Sequence, residues 1–365
     1  MGGLATGTLN LALGLANHFA NDEHKIIAHE NNDSKSFEEE YKLPKNLSII
    51  KLKKFGPRNY PISLSMRRTI NDFNPDVIYL KGLWRQTSLE AYYWKKNNPK
   101  KILIISPAGM LQPTPFKNKK ALKIISIFFI EKKLFKVCDL VQAVSLLEKN
   151  HILNYKYQFK KVIYIPEGLP KIKFKSEKKK IFSKQLISIS RIAPIKGLEI
   201  LLEACKNIDF NDWKVFIYGN GSKEYIRKLE KIIINNKLKG KVFLKEGLFS
   251  LEKYKVLNKA SAFILPSYSE SFGIGIAEAM SFGLPVIATT KTPWEVIQTK
   301  KLGWFINPEV KELKKSLEKL FTSSEKELLK IGERAKLNVT EIYDLVETSR
   351  QMKNEILSLA KKKNK

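Results

Sequence analysis

The sequence is poor in the residues that carry several ready-made chemistries. Its 365 residues include two cysteines, Cys138 and Cys205, and four histidines. Two cysteines cannot build a disulfide framework, and their spacing matches no zinc motif, which fits a reducing compartment. The longest apolar run, Ile124 to Ile130, is far short of the ~20 residues a membrane-spanning helix needs. The opening "MGGLATGTLNLALGL" lacks a basic leader and a bounded cleavage site, so no secretory signal is expected. Acidic residues number 36 against 66 basic ones, for a net charge of +30. Only eight of the basic residues are arginine, which leaves 58 lysines. Base-edge readers favour the planar guanidinium fork, and no RNA-recognition, zinc or aromatic-stacking signature is present. Nucleic acid is therefore not an expected partner. A solvated lysine surface is the ordinary reading of this charge. Anionic lipid or a sugar-phosphate substrate suits lysine as well.

What the chain has in quantity is apolar residues, 43% of the total, enough to bury two cores. Short β-branched runs fall at 24–30, 47–52, 76–80, 101–106, 140–145 and 161–166, then at 185–190, 214–219, 241–246, 262–266, 285–289 and 303–307. Helical patterns separate them, long enough for the crossovers that parallel strands require. Continuous apolar strands are buried on both faces. The pattern predicts two tandem doubly wound α/β domains: residues 1–166, a lysine-rich linker at 167–182, and residues 183–339. A last helical stretch, 340–365, follows. The chain opens at Gly2-Gly3 directly on a helical pattern, whereas a doubly wound half opens with a strand. This predicts a short strand encoded in frame just upstream.

Three segments of the second half carry chemistry. "PSYSESFGIGIAEAMSFGLPVIAT" (266–289) places Glu270 and Glu278 around Gly273 and Gly275, at a strand-to-helix turn. Such a turn collects backbone N–H groups and the positive helix end. One carboxylate can meet a sugar and the other a ribose through hydroxyl hydrogen bonds. A glutamate that only stabilises a helix N-terminus would look the same. "SISRIAPIKGLEILLEA" (188–204) puts Arg191 and Lys196 just past a strand end, where two cations can neutralise a leaving diphosphate. Ordinary loop charge is the competing reading, and the scarcity of arginine makes Arg191 the more telling residue. "VFIYGNGSKEYIRKL" (215–229) sets Gly219 and Gly221 at another strand-to-helix turn, a bed for a base or phosphate.

In this order and spacing the segments resemble the nucleotide-binding domain of family 4 retaining glycosyltransferases, the group 1 enzymes of GT-B fold, in particular those of bacterial surface polysaccharides. The family's R-x-x-x-x-K-G is matched by Arg191 to Gly197, its G-x-G by "GNG" (219–221), and its spaced glutamate pair by "PSYSESFGIGIAE". In the first half, Gly2-Gly3 match its glycine loop. "KGLWRQTS" and "SPAGML" look like its "HGLW" and "SPHGML" segments, and "IPEGL" stands where it has "IPNG".

The resemblance implies two Rossmann-like domains facing across a cleft, with the C-terminal helix crossing back to the first. It implies a nucleotide-diphosphate sugar donor, with Arg191 and Lys196 on the diphosphate, Glu270 on the sugar and Glu278 on the ribose. Gly3, Gly219, Gly221 and the backbone of Phe272, Gly273, Ile274 and Gly275 complete the donor site. A glycan or lipid-linked acceptor, retention of anomeric configuration, no cofactor and no metal are expected. So is a cytoplasmic location, with peripheral contact to an anionic membrane through the apolar, basic-flanked segment 117–136. Two departures stand out: Ala108 replaces the histidine of "SPHGM", and Lys81 that of "HGLW". Ala108 predicts a donor without the outer hydroxyl that the histidine reaches, such as a 6-deoxy sugar or a pentose. The alternative is an impaired member that serves as a binding or scaffold protein. The histidines present, His18, His24, His29 and His151, match none of the family positions and carry no expected role.

Overall fold

A computed structural model describes residues 3–30, 43–56, 60–113, 130–155, 157–171, 182–248 and 250–363. Most of the linker segment and of the segment 117–136 lies outside them, as does Gly2.

The described chain forms two compact α/β units. The second runs from Leu169 to Asp344 and includes the first residues of the chain, through Ala5. The first runs from Thr6 to Gly168 and takes up the chain again from Leu345. Both units are α/β with parallel strands, the class read from the sequence.

In the second unit, six strands form one parallel sheet: β7 (Gln185–Ile189), β8 (Lys214–Tyr218), β9 (Val242–Lys245), β10 (Ala262–Leu265), β11 (Val286–Thr289) and β12 (Gly303–Ile306). The order across the sheet is β12-β11-β10-β7-β8-β9. The direction of travel therefore reverses between β7 and β10, and in open α/β sheets the crevice at such a switch point is where ligands bind. β10 and β11 are buried along their whole length, as parallel strands covered by helices on both faces must be. The core gathers Leu186, Val215 and Ile217 of the sheet with Leu198, Leu201 and Leu202 of the following helix. Trp213 stacks on Phe321 at 5.4 Å beneath them.

In the first unit the strands are β1 (His24–His29), β2 (Leu47–Leu52), β3 (Val77–Lys81), β4 (Ile102–Ser106), β5 (Leu140–Ala143) and β6 (Val162–Tyr164). All pairings are parallel, but they make two separate sheets, β1-β2 and β3-β4-β5-β6. Among the described residues no strand joins β1 to β3.

The returning helix spans Leu345–Lys363, starting later than the boundary at 340 read from the sequence. Tyr343 stays with the second unit because its ring packs on Phe272 and Trp294, at 5.1 and 5.2 Å. Its carbonyl also accepts the Leu169 amide at 2.7 Å. Beyond it, Met352 and Leu359 bury themselves against Ile102, Ile104, Leu140 and Ile165 of the first unit.

Candidate functional site

The switch point of the second sheet collects the candidate residues. β7 ends at Ile189, and the chain turns through Ser190 and Arg191 into a single helical turn at Pro194–Lys196. Gly197 follows with φ +65°, and a methyl there would run into the Pro266 carbonyl oxygen. This position needs glycine twice over, for conformation and for space. The contact seats the loop after β7 against the loop after β10, where the Tyr268 amide donates to the Ile195 carbonyl at 2.9 Å.

That seating brings Lys196 to Glu270: Nζ lies 2.5 Å from Oε1, with both side chains largely buried. Ser267 Oγ donates to the same carboxylate oxygen at 2.7 Å, and Thr289 Oγ1 ties the Ser267 carbonyl at 2.5 Å. Glu270 is therefore held from two sides, and its second oxygen remains for a ligand. Arg191 projects at the same strand end as an exposed cation.

Gly273, with φ +85°, precedes the helix Ile274–Ser281. A methyl on Gly275 would stand 3.1 Å from the Ile189 carbonyl oxygen, so this glycine lets the helix start close beside the end of β7. Glu278 sits inside the helix, buried, with Oε1 at 2.5 Å from Lys253 Nζ. The helix Ser250–Lys259 delivers Lys253, which sequence reasoning missed. One lysine among 58 carries no signal, and only the tertiary contact singles it out.

Phe272 is buried and packs on Trp294 at 5.4 Å, while its carbonyl accepts the Trp294 indole N–H at 2.5 Å. Ile274 is buried too. Both side chains thus belong to the core, and what this turn exposes toward a ligand is backbone. At Gly219 and Gly221, methyl groups would strike the carbonyl oxygens of Ser190 and Ile192. The "GNG" turn packs on the Arg191 loop, and this packing alone requires both glycines. Gly3 opens the helix Gly3–His18, where a methyl would meet no neighbour.

The first unit holds the other two positions noted in the sequence. Lys81 turns inward, with Nζ 2.5 Å from Glu167 Oε1 and both side chains almost wholly buried. Ala108 has φ +51°, in the left-handed region. The next amide, of Gly109, donates to Glu148 Oε1 at 2.5 Å. Burial pushes the Glu148 carboxyl up to about 7. Of the histidines, His18 Nε2 lies 3.0 Å from the Val346 carbonyl and His24 Nε2 3.4 Å from that of Phe19. Neither interacts with the switch-point residues.

With this geometry in place, comparison with known proteins places the chain. A family model for group 1 glycosyl transferases matches residues 170–338. A second, for glycosyltransferase family 4, matches residues 1–170. The chain belongs to the family 4, group 1 glycosyltransferases.

Among its relatives is the putative colanic acid biosynthesis glycosyltransferase WcaL of Salmonella typhimurium. It is 26% identical over 186 residues, 48% of this chain and 45% of WcaL. The O-antigen chain mannosyltransferase RfbU of the same species is 28% identical over 184 residues, half of each chain. The matched stretches thus span half or less of these curated relatives. Among solved structures, Anabaena HepE in complex with UDP and glucose superposes with a TM-score of 0.76 at 16% identity, covering 98% of this chain and 96% of HepE.

Proposed function

We propose that this glycosyltransferase moves a sugar, with retention of anomeric configuration, from a nucleotide-diphosphate donor to a glycan or lipid-linked acceptor in cell-surface polysaccharide or lipopolysaccharide synthesis. It acts on the cytoplasmic face of the membrane. The observation that carries this reading is the convergence of Arg191, Lys196 and Glu270 at the switch point of the second sheet, with Glu278 about one turn into the adjoining helix. WcaL, RfbU and the UDP and glucose bound by HepE support the choice of acceptor class and donor class.

The roles follow from charge. When the donor binds, its sugar hydroxyls take the free oxygen of Glu270. The departing diphosphate gathers negative charge as the anomeric bond breaks. Lys196, already desolvated beside Glu270, and Arg191 offer cations at fixed positions, so little reorganisation accompanies the reaction. Glu278 takes the ribose hydroxyls. These side chains neutralise the diphosphate without a metal in this reading, and a chelator should leave turnover unchanged.

The decisive measurement is transfer or donor hydrolysis by Arg191→Ala and Lys196→Ala. Each should lower kcat by roughly 100-fold or more, the usual effect of removing one preorganised charge stabiliser. Activities within twofold of wild type would end the assignment. Thermal-shift screening against nucleotide sugars identifies the base, since a ligand of the native state raises Tm. The methyl of Ala108 donates no hydrogen bond, so a 6-deoxy or pentose donor should be preferred over its hydroxylated counterpart. Ala108→His should shift preference toward the hydroxylated sugar, and a wild-type preference for that sugar would refute the donor class.

A further inference from the structure

The turn at Phe272–Gly275 is fastened from a strand that supplies none of the expected donor residues. β11 ends at Thr289, whose hydroxyl holds the Ser267 carbonyl, while the Ser267 hydroxyl holds Glu270. The loop that follows is tied down in turn. The Thr292 amide and hydroxyl both donate to the Thr289 carbonyl, at 3.0 and 2.7 Å. The Trp294 carbonyl accepts the Ile297 amide at 2.9 Å. Between these fixed points stands Trp294, wholly buried. Its ring forms a triangle with those of Phe272 and Tyr343, all centroids 5.1 to 5.4 Å apart.

Ring packing sets where Trp294 lies, and its indole N–H adds a direction. It donates to the Phe272 carbonyl at 2.5 Å. A trans peptide unit is planar, so its C=O and N–H point opposite ways. Holding the Phe272 carbonyl against the indole therefore aims the Gly273 amide away from it. On the other side of Gly273, its carbonyl accepts the Ile276 amide at 2.8 Å. Both peptide units around this glycine are thus fixed. A methyl on Gly273 would stand 3.1 Å from Trp294 Nε1 and 3.7 Å from Glu270 Cγ, so the turn is seated between indole and glutamate. Without the indole bond a glycine, with its wide range of φ and ψ, is free to rotate.

We propose that Trp294 is a positioning residue for sugar transfer: its indole N–H holds the Phe272–Gly273 peptide so that the amides of Gly273, Ile274 and Gly275 face the diphosphate before the donor bond breaks. These amides stand at the open end of the helix Ile274–Ser281, where backbone donors have no partner within the helix. Donors fixed in advance stabilise the charge of the departing diphosphate without reorganising. Trp294 acts only through the turn.

The inference rests on the donor reading of this turn, and the two fail separately. Arg191→Ala at wild-type activity ends the donor reading. Trp294→Phe at wild-type kcat, with Arg191→Ala impaired, ends only the role of Trp294. A core residue that serves by packing alone is the competing role, and the two roles rank substitutions in opposite orders. Phenylalanine keeps a large apolar ring and loses the N–H. Histidine loses more apolar area but can present its Nε2–H to the Phe272 carbonyl.

The test measures kcat and donor KM of the full chain, with the nucleotide sugar that gives the largest thermal shift, well below the Tm of each variant. Trp294→Phe should lower kcat about tenfold or more with KM within about threefold. Trp294→His should keep a higher kcat than Trp294→Phe, despite a lower Tm. Trp213→Phe makes the same truncation in the core of the same unit, where Trp213 stacks on Phe321. It should lower Tm and leave kcat within about twofold of wild type. Should Trp294→His fail to fold, the comparison of the two phenylalanine variants decides. Three results would overturn the proposal: Trp294→Phe with kcat within twofold of wild type, Trp294→Phe more active than a folded Trp294→His, or Trp213→Phe with the same loss of kcat.

Discussion

Lys196–Glu270 and Lys253–Glu278 are alike in chemistry: a buried carboxylate against a buried ammonium at 2.5 Å. Removing one partner of such a pair leaves the other as an uncompensated buried charge, a loss of several kcal/mol in favourable cases. The second pair allows a clean separation of roles. In the proposed function Glu278 meets the ribose, which does not react. Lys253 then acts as a positioning residue, aiming a carboxylate that binds the donor equally in ground and transition states. Loss of uniform binding raises KM and leaves kcat unchanged. Lys253→Met should therefore raise the donor KM about tenfold or more with kcat within a factor of two, and Lys253→Arg should restore part of the loss. A fall in kcat at saturating donor would show instead that Lys253 takes part in the chemistry.

Between strands and helices of the first unit, buried carboxylates do the work of loop anchors. Glu131 is wholly buried, and its Oε1 accepts the amide of Trp84 at 2.6 Å. Trp84 has φ +59° in the turn after β3, a conformation a bulky residue keeps only when its surroundings hold it. Glu148 anchors the turn after β4, accepting the Gly109 amide and, through Oε2, that of Val144 at 2.8 Å. Burial pushes both carboxyls up to about 7, against about 4.3 in an unfolded chain. Between these values the folded protein holds a proton that the unfolded chain has released. Stability is thus full below the unfolded value and declines as pH rises through about 7. For Glu131 the span amounts to something on the order of 3 kcal/mol. Glu131→Gln keeps a carbonyl for the Trp84 amide and removes the titration. Urea unfolding at about pH 5 and about pH 8 should show a smaller loss for this variant than for wild type. Equal losses would mean that Glu131 does not titrate in this range.

Taken whole, the chain enters the first unit twice, and that unit is incomplete until its last helix arrives. Met352 is fully buried in the cluster with Ile102, Ile104, Leu140 and Ile165. Lys363, at the far end of the helix, reaches Asp139 at 2.8 Å beside Lys95, whose Nζ is also 2.8 Å from Asp139. Burial lowers the Lys95 ammonium to about 8, so this anchor loses charge under alkaline conditions. Met352→Ala should destabilise the first unit by about 2–5 kcal/mol, the range for such cavities. The readout is the denaturant midpoint of that unit in a two-transition curve, and an unchanged midpoint would contradict the packing described. Because these contacts join residues some two hundred positions apart, closing them is slow by its nature.

By itself the sequence determined the twelve strands, their division into two α/β halves and the order of the motifs that meet at the switch point of the second sheet. Parallel strands buried on both faces are written as β-branched runs, and loops that pack backbone on backbone are written as glycines. Both signals are local. Tertiary structure alone decided which charges meet. Lys196 and Glu270 are 74 positions apart, and Lys253 and Glu278 are 25 apart. The motif singles out Lys196, but nothing in a lysine-rich sequence marks Lys81, Lys95 or Lys253 as the partner of a buried carboxylate. The same holds for the two hydrogen bonds between buried Ser63 and Gln86, 23 positions apart. It holds as well for the break between the two sheets of the first unit and for the start of the returning helix at Leu345. Each depends on contacts between distant segments, and such contacts exist only once the chain has folded.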